Sequence, residues 1–238
     1  MTRRRPKSWN FTVTGCLALL LLGPSFFLPS ALAVTGLSDQ EAVDGLKQAL
    51  IQGSSVAVGK LGVPDGFLGN PKVRIPLPEH LQKGASMLRM LGLGAQLDQL
   101  EVTMNRAAEA AVPEAKAILL ESIKKMSIQD ARQILTGGNT AATEYFRRTA
   151  SEPLAARFLP IVKRATDQVG LARQYDQIAG PAAQLGLIDE KQATLDGYVT
   201  QKALDGLFLM MAEEERAIRR DPLGQGSRLL RKVFGAIR

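Results

Sequence analysis

Leu97-Asp98-Gln99-Leu100-Glu101-Val102-Thr103-Met104-Asn105-Arg106-Ala107-Ala108-Glu109-Ala110-Ala111 carries apolar residues at positions 97, 100, 104, 107 and 111. Steps of three and four place them on one face of an α-helix, where a half-buried strand would alternate. The same period continues beyond Pro113, which kinks or restarts the helix, through Ile118, Leu119, Ile123 and Met126. Ser127 with Asp130 opens a short helix through Leu135, stopped by Gly137-Gly138. Asn139 or Thr140 caps the next, which holds Tyr145 and Phe146. Ser151 ahead of Pro153 is read as another restart, with a bend at Pro160 among Leu154, Phe158, Ile161, Val162 and Ala165.

The pattern also extends to both sides. Leu171, Tyr175 and Ile178 mark a helix broken near Gly180-Pro181. Thr194 caps a long one containing Tyr198, Leu207, Met210 and Ile218, and Asp221-Pro222 restarts the chain once more. Upstream, Ser38 and Glu41 form a capping box before Val43, Leu46 and Leu50. A helix from about Glu79 presents Leu81, Ala85 and Leu88, and Gly92 and Gly94 end it. Residues 62–78 are a Gly- and Pro-rich loop in which only Val73-Arg74-Ile75 suits an extended backbone. No strand alternates and no repeat of fixed period emerges. The expectation is an all-α protein, an irregular multi-helix bundle with proline-punctuated helices.

Residues 1–33 read as a cleaved secretory signal peptide. Arg3, Arg4, Arg5 and Lys7 precede the apolar run 13–22, and Ala31-Leu32-Ala33 offers the small-x-small cleavage pattern. Gly23, Pro24 and Pro29 interrupt the run before it reaches the roughly 20 apolar residues of a spanning helix. Residues 34–238 are then a single helical domain in the periplasm. Cys16 and Trp9 are lost with the leader, so no disulfide is available to that domain. Its 26 basic and 23 acidic residues leave a net charge of only +3, which excludes a general electrostatic case for nucleic acid.

The positive excess is concentrated at the C-terminus. Residues 221–238 read as a basic amphipathic helix, with Leu229, Leu230, Val233, Phe234 and Ile237 on one face and Arg228, Arg231, Lys232 and Arg238 around it. Such a helix either docks on the bundle or lies on an anionic membrane surface.

The chemical inventory is sparse. One histidine, His80, and no cysteine remain, which excludes thiol nucleophiles and Cys or His-pair metal sites. The expectation is no catalytic constellation of the usual kind, no metal and no cofactor. Gly137-Gly138-Asn139-Thr140 before a helix has the form of an anion-binding turn, with Arg147 and Arg148 two turns on. Glu213-Glu214-Glu215 is read as a solvated face paired with Arg216, Arg219 and Arg220, and less readily as a set of catalytic acids.

Several blocks resemble a bacterial family described only as domain of unknown function four-one-nine-seven. They are Gly66-Phe67-Leu68-Gly69-Asn70-Pro71 with Val73-Arg74-Ile75-Pro76-Leu77-Pro78, the run 104–111, residues 134–138, Tyr145-Phe146-Arg147-Arg148, and the run 198–208. The resemblance implies an exported, mainly helical protein of Gram-negative bacteria, and brings no activity or catalytic residues. Polar members of these blocks are the candidate ligand-binding residues: Asn70, Arg74, Asn105, Arg106, Glu109, Arg147, Arg148, Gln201 and Asp205. The leading expectation is a non-enzymatic binding protein for a small ligand or an envelope protein. A hydrolase or lyase using Glu109 with Asp205, or the acids 213–215, is the alternative. A structural part of an envelope assembly is the third, and it would expose an apolar patch.

Overall fold

The computed structural model describes residues 39–167, Tyr175 and residues 194–221. Among them are α-helices Asp39–Leu61 (α1), Glu79–Met90 (α2), Gly94–Ala111 (α3), Ala115–Lys124 (α4), Ile128–Thr136 (α5), Ala141–Thr166 (α6) and Leu195–Arg220 (α7), and no strand. The fold is all-α. The leader, the Ser38 cap, the helix expected around 171–178 and the tail residues Arg228, Arg231, Lys232 and Arg238 lie outside the described residues.

The stripe that fixes the helical period is the core face of α3: Leu97, Leu100, Met104, Ala107 and Ala111 are each no more than 1% exposed. α3 packs on both α6 and α7, which form the most extensive pair in the bundle, while α1 lies against α7 and α4. Pro113 does restart the chain, through a single 3-10 turn, Val112–Glu114, between α3 and α4.

Two local readings need correction. Gly94 begins α3 instead of ending α2. The α2 stop belongs to Gly92, whose φ of +81° lets Leu93 N–H reach the Leu88 carbonyl at 2.9 Å. Pro153 does not restart the chain, because α6 runs unbroken through both Pro153 and Pro160. Both prolines are exposed, as are Thr149 and Ala156 four residues earlier, so water can take the carbonyls that lose their N–H donors.

The loop 62–78 is irregular, as read, and lies as a strap across the core. Phe67, Val73, Ile75 and Leu77 are buried, with Phe67 wholly inaccessible. Its backbone folds on itself around Asn70, whose carbonyl accepts from Val73 N–H and Arg74 N–H at 3.1 and 2.8 Å. No described helix is long and apolar enough to cross a membrane.

Candidate functional site

Two of the candidate residues work as clamps on the strap. Asn105, fully buried on α3, accepts from Ile75 N–H at 2.8 Å and donates to the Ile75 carbonyl at 2.9 Å. It therefore mimics a backbone partner for a segment that has no strand to pair with. Glu109, one turn on, accepts from both Phe67 N–H and Leu68 N–H at 3.0 and 3.1 Å. Arg106 bonds the other Glu109 oxygen at 2.6 Å and reaches Asp65 at 2.8 Å. These two carboxylates hold the Arg106 guanidinium above its ordinary pKa, Glu109 contributing most. Asp65 escaped the sequence reading. Its φ of +66° is the one positive value among the described non-glycine residues.

Asn70 and Arg74 shape the strap itself. The Asn70 side chain accepts from Lys72 N–H at 3.1 Å, and Arg74 pairs with Glu101 of α3 at 2.8 Å.

The first turn of α6, after the Gly-Gly pair, meets an anion that the chain itself supplies. Thr140 makes no side-chain cap. Glu215 of α7, 9% exposed, accepts instead from the N–H groups of Ala142 and Thr143 and from the Thr143 hydroxyl, each at 2.9 Å. A carboxylate at a helix N-terminus meets both free N–H groups and the positive dipole end. Arg219 completes the arrangement, donating to Glu215 and, at 2.8 Å, to the Ile134 carbonyl near the end of α5. The remaining acids of the run diverge: Glu213 pairs with Lys72 and Glu214 with Lys60. The i,i+4 partner Arg219 was read correctly, whereas the solvated face was not, since Glu215 is buried.

What remains lies along α7. The caps on α6 and the packing of Arg147 over the Phe208 ring, 4.8 Å from its centroid, show that α6 and α7 run antiparallel. Between the residues 147–159 of α6 and the first half of α7 lies a groove of about 530 Å³. Arg147, Ser151, Thr200, Gln201, Leu204 and Phe208 line it, with Glu152 and Asp196 on its walls. Thr200 is 5% exposed, and its hydroxyl has no hydrogen-bond partner. Gln201 donates to Asp205 at 3.0 Å. Asp205 in turn lines a second, smaller hollow of about 210 Å³ with Lys72, Arg74 and Lys202.

Arg147 and Gln201 thus line the groove, and Arg74 and Asp205 the smaller hollow, the two linked by the Gln201–Asp205 hydrogen bond. Arg148, the neighbour of Arg147, faces a different hollow with Tyr145 and Asp130, 5.7 Å from the ring centroid and 3.8 Å from the carboxylate. Thr200 and Phe208 sat inside a block the sequence reading quoted, but helical spacing alone marks both as core. Among the described residues no three His, Cys, Asp or Glu side chains gather as a metal site.

A family model described as protein of unknown function (DUF4197) matches residues 36–235. The chain belongs to that family. No curated protein and no solved structure matches it. The match spans the strap, the clamps on α3 and the groove between α6 and α7, so the whole arrangement falls within the DUF4197 region.

Proposed function

We propose that this DUF4197 protein is exported, cleaved after Ala33, and acts in the periplasm as a non-enzymatic binding protein that holds a small ligand in the α6–α7 groove. The observation that carries this reading is Arg147. It has no carboxylate partner among the described residues, and it stands at one end of a groove with an apolar floor. Arg74, Arg89, Arg106, Arg148, Arg157 and Arg219 all face a carboxylate, and Arg164 and Arg216, which are paired with none among the described residues, do not line the groove. A cation left uncommitted in a concave, partly apolar site is a ligand group by its chemistry.

The acids named for a hydrolase are, by contrast, occupied. Glu109 is held by two backbone N–H groups and Arg106. Phe67 stands between it and the Asp205 side of α7, its N–H on Glu109 and its ring against Gly206. Glu213, Glu214 and Glu215 each take a different partner. On the groove walls, Glu152 and Asp196 are separated along the axis by about two helical turns, ~11 Å.

Native mass spectrometry of the protein taken gently from its own periplasmic fraction tests the proposal. A chain beginning at Val34 with a reproducible bound mass is expected, and Ala156→Trp, which fills the groove from an exposed position, should release that mass. An unprocessed chain in the cytosol overturns the export reading, and a clean apo mass overturns ligand carriage.

A structural part in an envelope assembly is a second reading, favoured by one observation. Met87, Met90 and Leu91 are 64%, 82% and 65% exposed together at the end of α2, an apolar tip of the kind that seeks a partner. Met90→Glu should then lower the apparent size of the native particle in light scattering, and an unchanged size opposes it.

A further inference from the structure

We infer that the ligand of the α6–α7 groove is a short extended peptide with a free C-terminal carboxylate, seated with that carboxylate at Arg147 and its amino end toward Asp196. This inference rests on the groove being the binding site and adds the class of ligand.

Four observations support it. First, the groove has opposite charges at its two ends. Arg147 closes one end with Phe208 beneath its guanidinium, and Asp196, in the first turn of α7, marks the other. Stacking on the ring leaves the edge N–H donors of the guanidinium free for two parallel hydrogen bonds to a carboxylate. Asp196 makes no ion pair among the described residues, so its carboxylate is available to an ammonium group.

Second, the length fits. From Arg147 to Leu159 the α6 wall is about 18 Å at 1.5 Å per residue, which an extended chain covers in about five residues. Third, the wall carries a group suited to an amide backbone. Gln201 commits its N–H to Asp205, and its side-chain carbonyl is left to accept a peptide N–H. Fourth, the 40%-exposed Leu159, with Ala155 and Ala156, supplies apolar surface for alternate side chains. A simple fatty acid would satisfy Arg147, but it would lay an alkyl chain beside Glu152 and Asp196, which is unfavourable in a partly dry groove.

The test is titration calorimetry of the processed protein with a mixed pentapeptide library bearing free termini, and with the same library amidated at the C-terminus. The free-acid library should bind, and amidation should weaken binding about tenfold or more, the scale of a lost charge-assisted pair. Arg147→Gln should show the weak affinity for both libraries, with Arg147→Lys between. N-terminal acetylation should weaken binding to the wild type and leave Asp196→Asn unaffected. Equal binding of acid and amide, or no binding at millimolar peptide, overturns the inference. A bound non-peptide mass released by Ala156→Trp would overturn the peptide while leaving the groove as the site. Loss of both the native adduct and peptide binding would remove the groove as well.

Discussion

A Cβ placed on Gly206 of α7 would stand 2.7 Å from Cε1 of Phe67 in the strap. The ring is fully buried, so it cannot swing out into solvent to make room. Gly206→Ala should therefore destabilise the fold by about 1–3 kcal/mol in urea unfolding, despite alanine's better helix propensity. Combined with Phe67→Leu, the loss should be clearly less than additive, since the two changes act on one contact. Additive losses would show that the strap does not rest on α7.

Glu215 joins three helix ends, and its substitution separates charge from shape. Glu215→Ala leaves the N–H groups of Ala142 and Thr143 without their acceptor and Arg219 without its carboxylate. A loss of about 3 kcal/mol is expected from unsatisfied buried groups. Glu215→Gln keeps one acceptor oxygen and should lose markedly less. Equal losses for both variants would place the effect in the carboxylate charge and not in the retained oxygen or the packing.

Helix α5 carries a pH signature. Its capping box is complete: Asp130 accepts from the Ser127 hydroxyl and N–H, and Ser127 accepts from Asp130 N–H. The Ser127 hydroxyl, then its N–H and Arg148, hold the Asp130 carboxyl below its ordinary 3.8. A carboxylate depressed in the folded state stabilises above its unfolded pKa, and that contribution is lost as pH falls through the folded value. Ser127→Ala should lower stability by about 1 kcal/mol at neutral pH. The difference from wild type should shrink once the pH drops below the ordinary carboxylate range.

At the alkaline end the strap meets Tyr198, whose hydroxyl donates to the Pro76 carbonyl at 3.1 Å. Burial, with a smaller contribution from Tyr175, pushes its pKa up to about 12. The neutral phenol is therefore favoured in the folded state. Its contribution is whole below pH 10, where an unfolded tyrosine is still protonated, and is lost as pH rises toward 12. Thermal melts from pH 9 to 12 should fall more steeply for wild type than for Tyr198→Phe. Parallel curves would show that Tyr198 titrates no differently on folding.

Most of the helical framework was legible because its signals are local. The stripe on α3, the Ser127 box and the Thr194 cap, which accepts from Gly197 N–H at 3.1 Å, depend on residues a turn apart. Pro153 misled because the cost of a proline depends on whether water can reach the freed carbonyl, which is a property of the packed surface. Glu215 was harder still. Nothing near it in sequence reveals that the N-terminus of α6, some seventy residues earlier, will take its carboxylate. Asn105 and Glu109 were singled out, but as ligand groups, because a polar residue among alanines gives no sign of whether its partner is a ligand or the chain's own backbone.

The groove is legible only in part for the same reason. Arg147 and Gln201 were named in sequence, yet Thr200 and Phe208 follow the period of core residues. Only the antiparallel packing of α6 and α7 brings all four to one cleft.

The most direct measurement is hydrogen exchange of the processed protein, with and without the low-molecular-mass fraction of its own periplasmic extract. A ligand seated between α6 and α7 should slow exchange in peptides covering residues 147–159 and 194–208, and Arg147→Gln should abolish that protection. Protection confined to the strap or to α2, or none at all, would contradict the account.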